Sequence, residues 1–170
     1  MSEKELVLKA KNGSVDAFCL LYGKYKNKLY SYAFYKLGNS SDAEDAMQNC
    51  MLSAFEQMDK LKKTEAFSSW IFRILYCSCS ALIKEQIRQR NTDDLDNYTN
   101  IASSDNDKFI LQEELRQALK ILSEEERNIV LLSAVAGFKS REIAQITGLS
   151  SGNVRTKLSR SLKKMKDYLS

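Results

Sequence analysis

Apolar residues recur every three or four positions along most of the chain, which is the period of an α-helix. The first clear stretch, residues 14–37, carries Phe18, Tyr22, Tyr25, Leu29, Tyr32 and Ala33 at these steps. The β-branched runs that mark strands are missing, and the 170-residue chain contains no proline. The spacing therefore predicts an all-α fold.

Two further helices are predicted in the first half of the chain. Ser41 and Glu44 have the spacing of a capping box, which satisfies free backbone N–H groups where a helix begins. The helix that follows carries an apolar stripe of Ala43, Met47, Cys50, Ala54, Met58 and Leu61. The polar break "KLKKTE" separates it from a long helix over residues 67–88. We expect an N-terminal domain of three to four helices over residues 1–91.

Residues 92–108 have no helical period and are rich in Asp, Asn, Ser and Thr. The wider stretch 91–112 carries five Asp and one Lys. Basic side chains exceed acidic ones on both sides, by 14 to 10 in residues 1–90 and by 11 to 7 in residues 113–170. This composition is typical of a solvated tether. We expect a flexible acidic linker between two separately folded domains.

A second helical domain is predicted over residues 109–170. A helix over residues 109–122 comes first, and Ser123 with Glu126 forms another capping box at the start of the next helix. Gly137 ends that helix, and the stretch "SREIAQITGLSSGNVRTKLSRSLKKMK" follows as residues 140–166.

This last stretch has the pattern of a helix-turn-helix. Ala144 is the small residue where the two helices cross, Gly148 is the turn residue, and Val154 is the apolar anchor of the second helix. Ser150 is placed to cap the second helix, and Val154 shares an apolar face with Leu158, Leu162 and Met165.

The opposite face of the second helix is polar and basic. A solvated basic helix end, favoured by the helix dipole, is one explanation. The hydrogen-bonding and basic side chains begin in the first two turns, however, where the dipole offers cations nothing. The pattern therefore favours a helix that enters a DNA groove. Its candidate contacts are Ser151, Asn153, Arg155, Thr156, Lys157, Arg160 and Lys163.

The composition argues against several other functions. The chain has no His, no Gly-rich phosphate loop and no nucleophile elbow, so we expect neither an enzyme nor a cofactor. The "CSC" spacing of Cys77 and Cys79 does not suit a zinc or redox half-site, and no metal is expected. The N-terminus does not resemble a signal peptide, and no run of 18 apolar residues exists, which predicts a cytoplasmic protein.

These stretches, in this order, resemble a bacterial extracytoplasmic-function sigma factor, the smallest type of promoter-recognition subunit of RNA polymerase. The segment "DAFCLLYGKYKNKLYSYAFYKLGNSSDAEDAMQ" is similar to the family's first two helices, and "AFSSWIFRILYCSCSALIKEQIRQR" to its third. The segment "LSEEERNIVLLSAVAGFKSREIAQITGLSSGNVRTKLSRSLKKMK" is similar to its C-terminal domain. The resemblance covers nearly the whole chain. It implies a subunit that binds core polymerase, recognises the minus-thirty-five element, melts DNA at the minus-ten element and so initiates transcription.

The resemblance also implies roles for particular residues. The residues that would dock on the clamp coiled coil of the largest polymerase subunit are Asp42, Glu44, Asp45 and Gln48. Those that would meet the minus-ten element are Lys62, Lys63, Thr64, Phe67, Ser68, Arg73, Lys84 and Arg88. Among them Thr64, Phe67 and Ser68 would surround an extruded base. Phe67 and Trp70 also lie at core spacing, so a core role is the alternative for Phe67 and the favoured interpretation for Trp70.

The chain departs from the usual family pattern at a few positions. Gln48-Asn49 stands where the family has Gln-Glu, and Lys84 stands where it has Arg. Cys77 and Ala81 replace Asn and Asp. Most family members are held inactive by an anti-sigma factor, so the resemblance implies such a partner and no small-molecule substrate. A stand-alone helix-turn-helix regulator that acts without core polymerase is the alternative function.

Overall fold

The computed structural model describes residues 1–92 and 106–170, and the side chains of residues 1–90 and 113–170. This part of the chain is built from α-helices without strands, which confirms the predicted all-α fold. The helices are α1 (Glu3–Lys11), α2 (Val15–Leu37), α3 (Ser40–Glu56), α4 (Phe67–Thr92), α5 (Asn106–Lys120), α6 (Glu124–Ala134), α7 (Ser140–Thr147) and α8 (Ser151–Leu169). Most of the predicted linker, residues 93–105, lies outside the described residues, and the domain boundaries stay a prediction.

Helices α1 to α4 form the N-terminal domain. Helices α2 and α3 pack on each other, and α4 crosses both. The centre of this core contains Leu21, Leu29 and Tyr32 of α2, Ala46 and Cys50 of α3, and Ile71 and Leu75 of α4. Helix α1, which the apolar periodicity did not predict, packs Leu6, Val7 and Ala10 against α2. The domain therefore has four helices.

The predicted cap of α3 is wrong by two residues. Asn39, and not Ser41, caps the helix: its side-chain oxygen accepts a hydrogen bond from the backbone N–H of Asp42 at 2.8 Å. Gly38 ends α2 with a left-handed φ of 90°, and Asn39 follows at once in an extended conformation. Because the chain reverses within these two residues, α3 starts before Ser41 is reached.

The second predicted capping box is confirmed at the start of α6. The Ser123 hydroxyl accepts from the backbone N–H of Glu126 at 3.1 Å, and the Glu126 carboxylate accepts from the Ser123 N–H at 2.9 Å. The predicted turn between α7 and α8 is also present, since Gly148 has a φ of 84°. Helices α5 to α8 form the C-terminal domain around a core that includes Leu119, Ile129, Leu132, Ile143, Ile146 and Val154.

The two domains pack directly against each other, through α2 with α6 and α4 with α7. The rings of Phe72 and Phe138 meet edge to face with their centroids 5.0 Å apart. The hydroxyl of Tyr32 donates to the Asn128 side-chain oxygen at 3.3 Å, and both residues are buried. The periodicity of the sequence did not predict this contact.

One described stretch, Thr64–Arg90, is long and apolar enough by length and composition to cross a membrane, which is weak evidence by itself. Its apolar side chains Phe67, Ile71, Leu75 and Cys79 are buried in the core of the N-terminal domain. One face of helix α4 therefore belongs to the core of this domain.

Candidate polymerase and promoter interfaces

Helix α8 carries an exposed row of polar and basic side chains. Its N-terminus is capped by the Ser150 hydroxyl, which accepts from the Asn153 N–H at 3.2 Å, as the sequence predicts. Val154 is fully buried and fixes the rotation of the helix about its axis. The side chains of Asn153, Arg155, Thr156, Arg160 and Lys163 consequently lie on the exposed side.

The inward face of α8 differs from the predicted one at one position. Leu162, expected in the apolar stripe, is 45% exposed, whereas Ser161 is fully buried. The Ser161 hydroxyl donates to the Lys157 carbonyl at 2.6 Å and also lies 3.3 Å from the Glu126 carboxylate. A small hydroxyl fits this position because α6 places a carboxylate against it.

Glutamates at the start of α6 pair with two of the basic residues of α8. Lys157, a predicted DNA contact, forms an ion pair with Glu125 and is only partly exposed. The Nζ of Lys164 lies 2.9 Å from the Glu126 carboxylate. The hydrogen bond from the Ser123 N–H and, to a smaller extent, the one from Lys164 lower the pKa of Glu126 to about 2. Lys157 is therefore less available to a phosphate than Arg155, Arg160 or Lys163.

The four polymerase contacts predicted on the polar face of α3 differ in how available they are. Glu44, Asp45 and Gln48 are exposed. Asp42 instead accepts hydrogen bonds from Gln86 of α4 at 2.6 Å and from Asn39 at 2.8 Å. Asp42 is thus already engaged in holding the N-terminus of α3 against α4.

The exposed side of α3 becomes apolar in its second half. Met51, Leu52 and Phe55 are 37%, 57% and 41% exposed, and the Phe55 ring meets Phe18 edge to face at 5.3 Å. The apolar stripe of the sequence did not predict this patch, because the stripe marks only the buried side of the helix. The signal was present, since these apolar residues lie outside that stripe.

A groove of about 360 Å³ lies between the segment that precedes α4, α4 itself and α7. Lys62 and Lys63 are exposed beside it, and Trp70 is partly exposed in its wall. Thr64 and Ser68, predicted to hold a base, are partly exposed but do not line this groove. The lining consists of Lys60, Leu61, Lys62, Lys63, Ala66, Ser69, Trp70, Arg73, Gln145 and Ile146.

Phe67 cannot stack on a base in this structure, which corrects that part of the prediction. Its side chain is fully buried, with ring centroids 5.5 Å from Tyr25 and 5.9 Å from Trp70. The core alternative therefore holds for Phe67. Trp70 is the aromatic side chain that remains accessible in the groove.

The basic side chains of α4 also differ in their exposure and in their hydrogen-bond partners. Arg73 donates to the carbonyls of Ile146 at 2.8 Å and Gln145 at 3.0 Å, at the C-terminal end of α7. A cation suits this position because the last carbonyls of a helix have no partners within it. Arg73 is thus bound by the other domain, whereas Lys84 is exposed, and Arg88 is exposed and paired with Glu85 at 2.6 Å.

Comparison with known proteins connects these surfaces to a family. The model of sigma-70 region 2 matches residues 21–91, and that of sigma-70 region 4 matches residues 112–165. The chain is 25% identical to the extracytoplasmic-function sigma factor SigW of Bacillus subtilis, over 99% of this chain and 97% of SigW. It is 28% identical to SigV of the same organism, over 85% of this chain and 86% of SigV. The chain belongs to the extracytoplasmic-function sigma factors.

The fold of this sigma factor is also found among solved structures. The sigma factor RpoE of Bartonella quintana, solved in complex with the anti-sigma factor NepR, superposes with a TM-score of 0.80 at 22% identity. The superposition covers 91% of this chain and 98% of RpoE. The region 2 match contains α3 and the wall of the groove formed by α4 and the segment before it, and the region 4 match contains the helix-turn-helix, including the α7 residues of the groove. As an alternative sigma factor, the protein directs transcription initiation at particular promoters.

The cysteines of this sigma factor fall into two classes. Cys50 and Cys79 are buried, and burial raises the pKa of each thiol to about 12, which keeps them protonated and unreactive. Cys19 and Cys77 are exposed. Within residues 1–90 and 113–170, whose side chains the structure describes, no three or more Cys, Asp or Glu side chains come together in a way that could hold a metal ion.

Proposed function

We propose that this sigma factor binds core RNA polymerase through the exposed side of α3, reads the minus-thirty-five element with α8 and captures minus-ten bases on the surface formed by α4 and the segment that precedes it. The observation that carries the proposal is the exposed row on α8, where Asn153, Thr156 and Arg160 face away from the core fixed by Val154. We expect the protein to act without covalent chemistry of its own and in the cytoplasm, where its polymerase works.

The polymerase interface combines charge with apolar contact. Glu44, Asp45 and Gln48 offer carboxylate and amide oxygens, which pair well with Arg side chains on a partner helix such as the clamp coiled coil. The neighbouring apolar side chains include Leu52 and Phe55, which would lose contact with water on binding. The two halves form one strip along α3, a shape that fits a partner helix lying across it.

The minus-thirty-five interface divides into base and phosphate contacts. Asn153, Thr156 and Arg160 lie in the central row, where side chains of a groove-bound helix reach base edges. Arg155 and Lys163 flank this row and suit phosphates. Lys157 and Ser151 make smaller contributions, because both are partly buried and Lys157 is paired with Glu125.

The minus-ten interface uses the wall of the groove that α4 and the segment before it form. Lys62, Lys63, Lys84 and Arg88 supply cations for the phosphates. Trp70 takes the stacking role that the resemblance implied for Phe67, because it is the aromatic side chain exposed in the groove. Each captured base gains about 1–3 kcal/mol from such stacking, and this gain drives melting.

An anti-sigma factor is the remaining partner. The structure of RpoE from Bartonella quintana is a complex with the anti-sigma factor NepR, and its fold matches that of this chain over nearly the whole length. This likeness, together with the family membership, supports a partner of the same class for this protein.

Replacement of Asp45 and Gln48 together by Ala tests the polymerase interface. Both side chains are exposed on α3, so the fold should be unaffected, whereas affinity for core polymerase should fall by at least about tenfold through loss of two polar contacts. Affinity is measured by fluorescence anisotropy of labelled protein with purified core enzyme. Glu114→Ala, at an exposed position of α5, is the matched control.

Unchanged core affinity in the double variant would remove this face of α3 from the interface. Tight, sequence-specific binding of the protein to minus-thirty-five duplex in the absence of polymerase would instead favour the stand-alone regulator.

A further inference from the structure

Lys36, in the last turn of α2, is a buried charged residue whose ammonium group has few polar partners. Its side chain is 0% exposed, and its Nζ lies 3.5 Å from the Glu124 carboxylate, which is itself about half exposed. Among the described residues, this Nζ has no hydrogen-bond partner. An ammonium group in such a place is costly, because its lost hydration is not replaced by good hydrogen bonds.

The groups around Lys36 come mainly from the other domain. Glu124 and Arg127 belong to α6, and Cys79 belongs to α4. The Arg127 guanidinium is fixed by the carbonyls of Leu119 at 3.1 Å and Leu122 at 3.2 Å, so a second positive charge is held near Lys36. Because Glu124 and Arg127 of α6 lie beside the amine, we expect separation of the two domains to return Lys36 to water.

We propose that Lys36 makes the packing of the two domains dependent on pH. The closed arrangement, in which the two domains are in contact, becomes more stable relative to the open one, in which they are separate, as this amine loses its proton. The inference does not depend on polymerase binding, and its physical basis is the contact between α2 and α6. One turn before Lys36, the bond from Tyr32 to Asn128 places α6 at this end of α2. Closure and exposure of the amine are therefore mutually exclusive.

The sign follows from the two protonation states. Burial, and to a smaller extent Arg127, lowers the pKa of Lys36 to about 8, whereas Glu124 acts in the opposite direction. In the open arrangement the amine returns to its ordinary value near 10.5. The closed form thus binds fewer protons between these values, and closure is favoured as pH rises through this window. The equilibrium constant for closure, the ratio of closed to open protein, should increase roughly 30-fold between pH 7 and pH 9.5.

Closure also determines where Arg73 is. In the closed arrangement its Nη1 group binds the end of α7, so this group is not available to a phosphate. This consequence rests on the proposed function, in which Arg73 belongs to the minus-ten surface. The proton linkage itself does not.

The first experiment titrates Lys36 directly, in the full chain without polymerase or DNA. Lysine Cε signals are followed by NMR from pH 6.5 to pH 10.5, with the Lys36 signal assigned by its loss in Lys36→Arg. We expect a midpoint near 8. A midpoint above 10 would overturn the proposal, because the amine would then not be buried in solution.

The second experiment separates the domains. Phe138→Asp places a carboxylate in the ring contact between them, and helicity is checked by circular dichroism. The radius of gyration should increase, and the Lys36 midpoint should rise toward 10.5, while Leu162→Asp on the exposed side of α8 should leave both unchanged. A low midpoint in an expanded variant would assign the burial to the N-terminal domain alone and overturn the inference. A variant that stays compact would show that the domains do not separate, with the same consequence.

The third experiment removes the proton, and remains informative if Phe138→Asp does not fold. Lys36→Met keeps the length and apolar character of the side chain but cannot titrate. Its closure should be independent of pH between 7 and 9.5 and at least as complete at pH 7 as that of the wild type. An equal pH dependence of compactness in both proteins would assign the effect to another group and overturn the proposal.

Discussion

Two helices of this sigma factor are predicted to meet promoter DNA, and they differ in how much of their outer surface is available. On α8 the predicted row of Asn153, Thr156 and Arg160 is exposed. On α4 the predicted aromatic residue Phe67 is in the core, and Arg73 is bound to α7. Helical periodicity shows which side of a helix faces its own domain. It does not show whether a second domain covers part of the other side.

The same difference bears on how the protein must move. The minus-thirty-five and minus-ten elements lie about 25 base pairs apart, or about 85 Å along B-DNA. A compact chain of this length has a radius of gyration of only about 15 Å. Two domains in direct contact cannot span that distance, so we expect them to separate when both elements are bound. The surface of α8 needs no change for this, whereas that of α4 requires α7 to release Arg73.

The largest expected effect distinguishes the two aromatic residues at the start of α4. Phe67→Ala should lower the free energy of unfolding by about 3–5 kcal/mol, because the ring is fully buried. Trp70→Ala should cost less stability, since that side chain is partly exposed, but should reduce promoter opening. Urea denaturation measures the first effect, and permanganate reactivity of promoter thymines measures the second. Normal opening by the Trp70 variant would remove the stacking role.

The next effect tests the assignment of base and phosphate contacts on α8. Asn153→Ala or Arg160→Ala should each cost roughly 1–3 kcal/mol on the preferred minus-thirty-five sequence and relax the choice of base at one or two positions. Lys163→Ala should weaken all promoters about equally and reduce the salt dependence by roughly one phosphate contact. Holoenzyme binding to a library of minus-thirty-five variants provides both measurements. If neither Asn153→Ala nor Arg160→Ala alters the ranking of minus-thirty-five sequences, the proposed orientation of α8 toward DNA is wrong.

A smaller effect tests the contact that distinguishes α4 from α8. Arg73→Ala removes two hydrogen bonds to the end of α7, and should weaken domain packing by about 1 kcal/mol, roughly fivefold in the equilibrium constant for closure. Small-angle scattering should show more of the expanded form. Lys62→Ala, an exposed cation of the same groove, is the control and should leave the scattering unchanged. Equal scattering from Arg73→Ala and the wild type would show that this contact does not hold the domains together.

The smallest expected effect concerns Glu126, whose carboxylate pairs with Lys164 of α8. The lowered pKa of Glu126 stabilises the fold above about pH 4.5, and this contribution is lost as pH falls toward 2. Glu126→Gln keeps a capping-box acceptor but has no charge to lose. The drop in melting temperature between pH 7 and pH 3 should therefore be smaller in Glu126→Gln than in the wild type. Glu114→Gln, on the exposed side of α5, should behave as the wild type does.

The local features of the fold were accessible from sequence, because their partners are three or four residues away. The capping box of Ser123 with Glu126, the Ser150 cap of α8 and the positive φ at Gly148 were all predicted and are present. The cap of α3 was missed, although it is also local. Asn39 and Ser41 are both good capping residues, and only the backbone reversal after Gly38 selects Asn39.

Tertiary structure alone decided which polar side chains are available for partners. Asp42 bonds to Gln86, Arg73 to Ile146 and Tyr32 to Asn128, across 44, 73 and 96 residues of sequence. Lys36 lies in the last turn of α2, and the Glu124 carboxylate of α6 lies 3.5 Å from its buried Nζ. The sequence determines the repeat along each helix, because that repeat arises from backbone geometry within one turn. The burial of a charge depends on the packing of two domains, and no pattern within one helix records it.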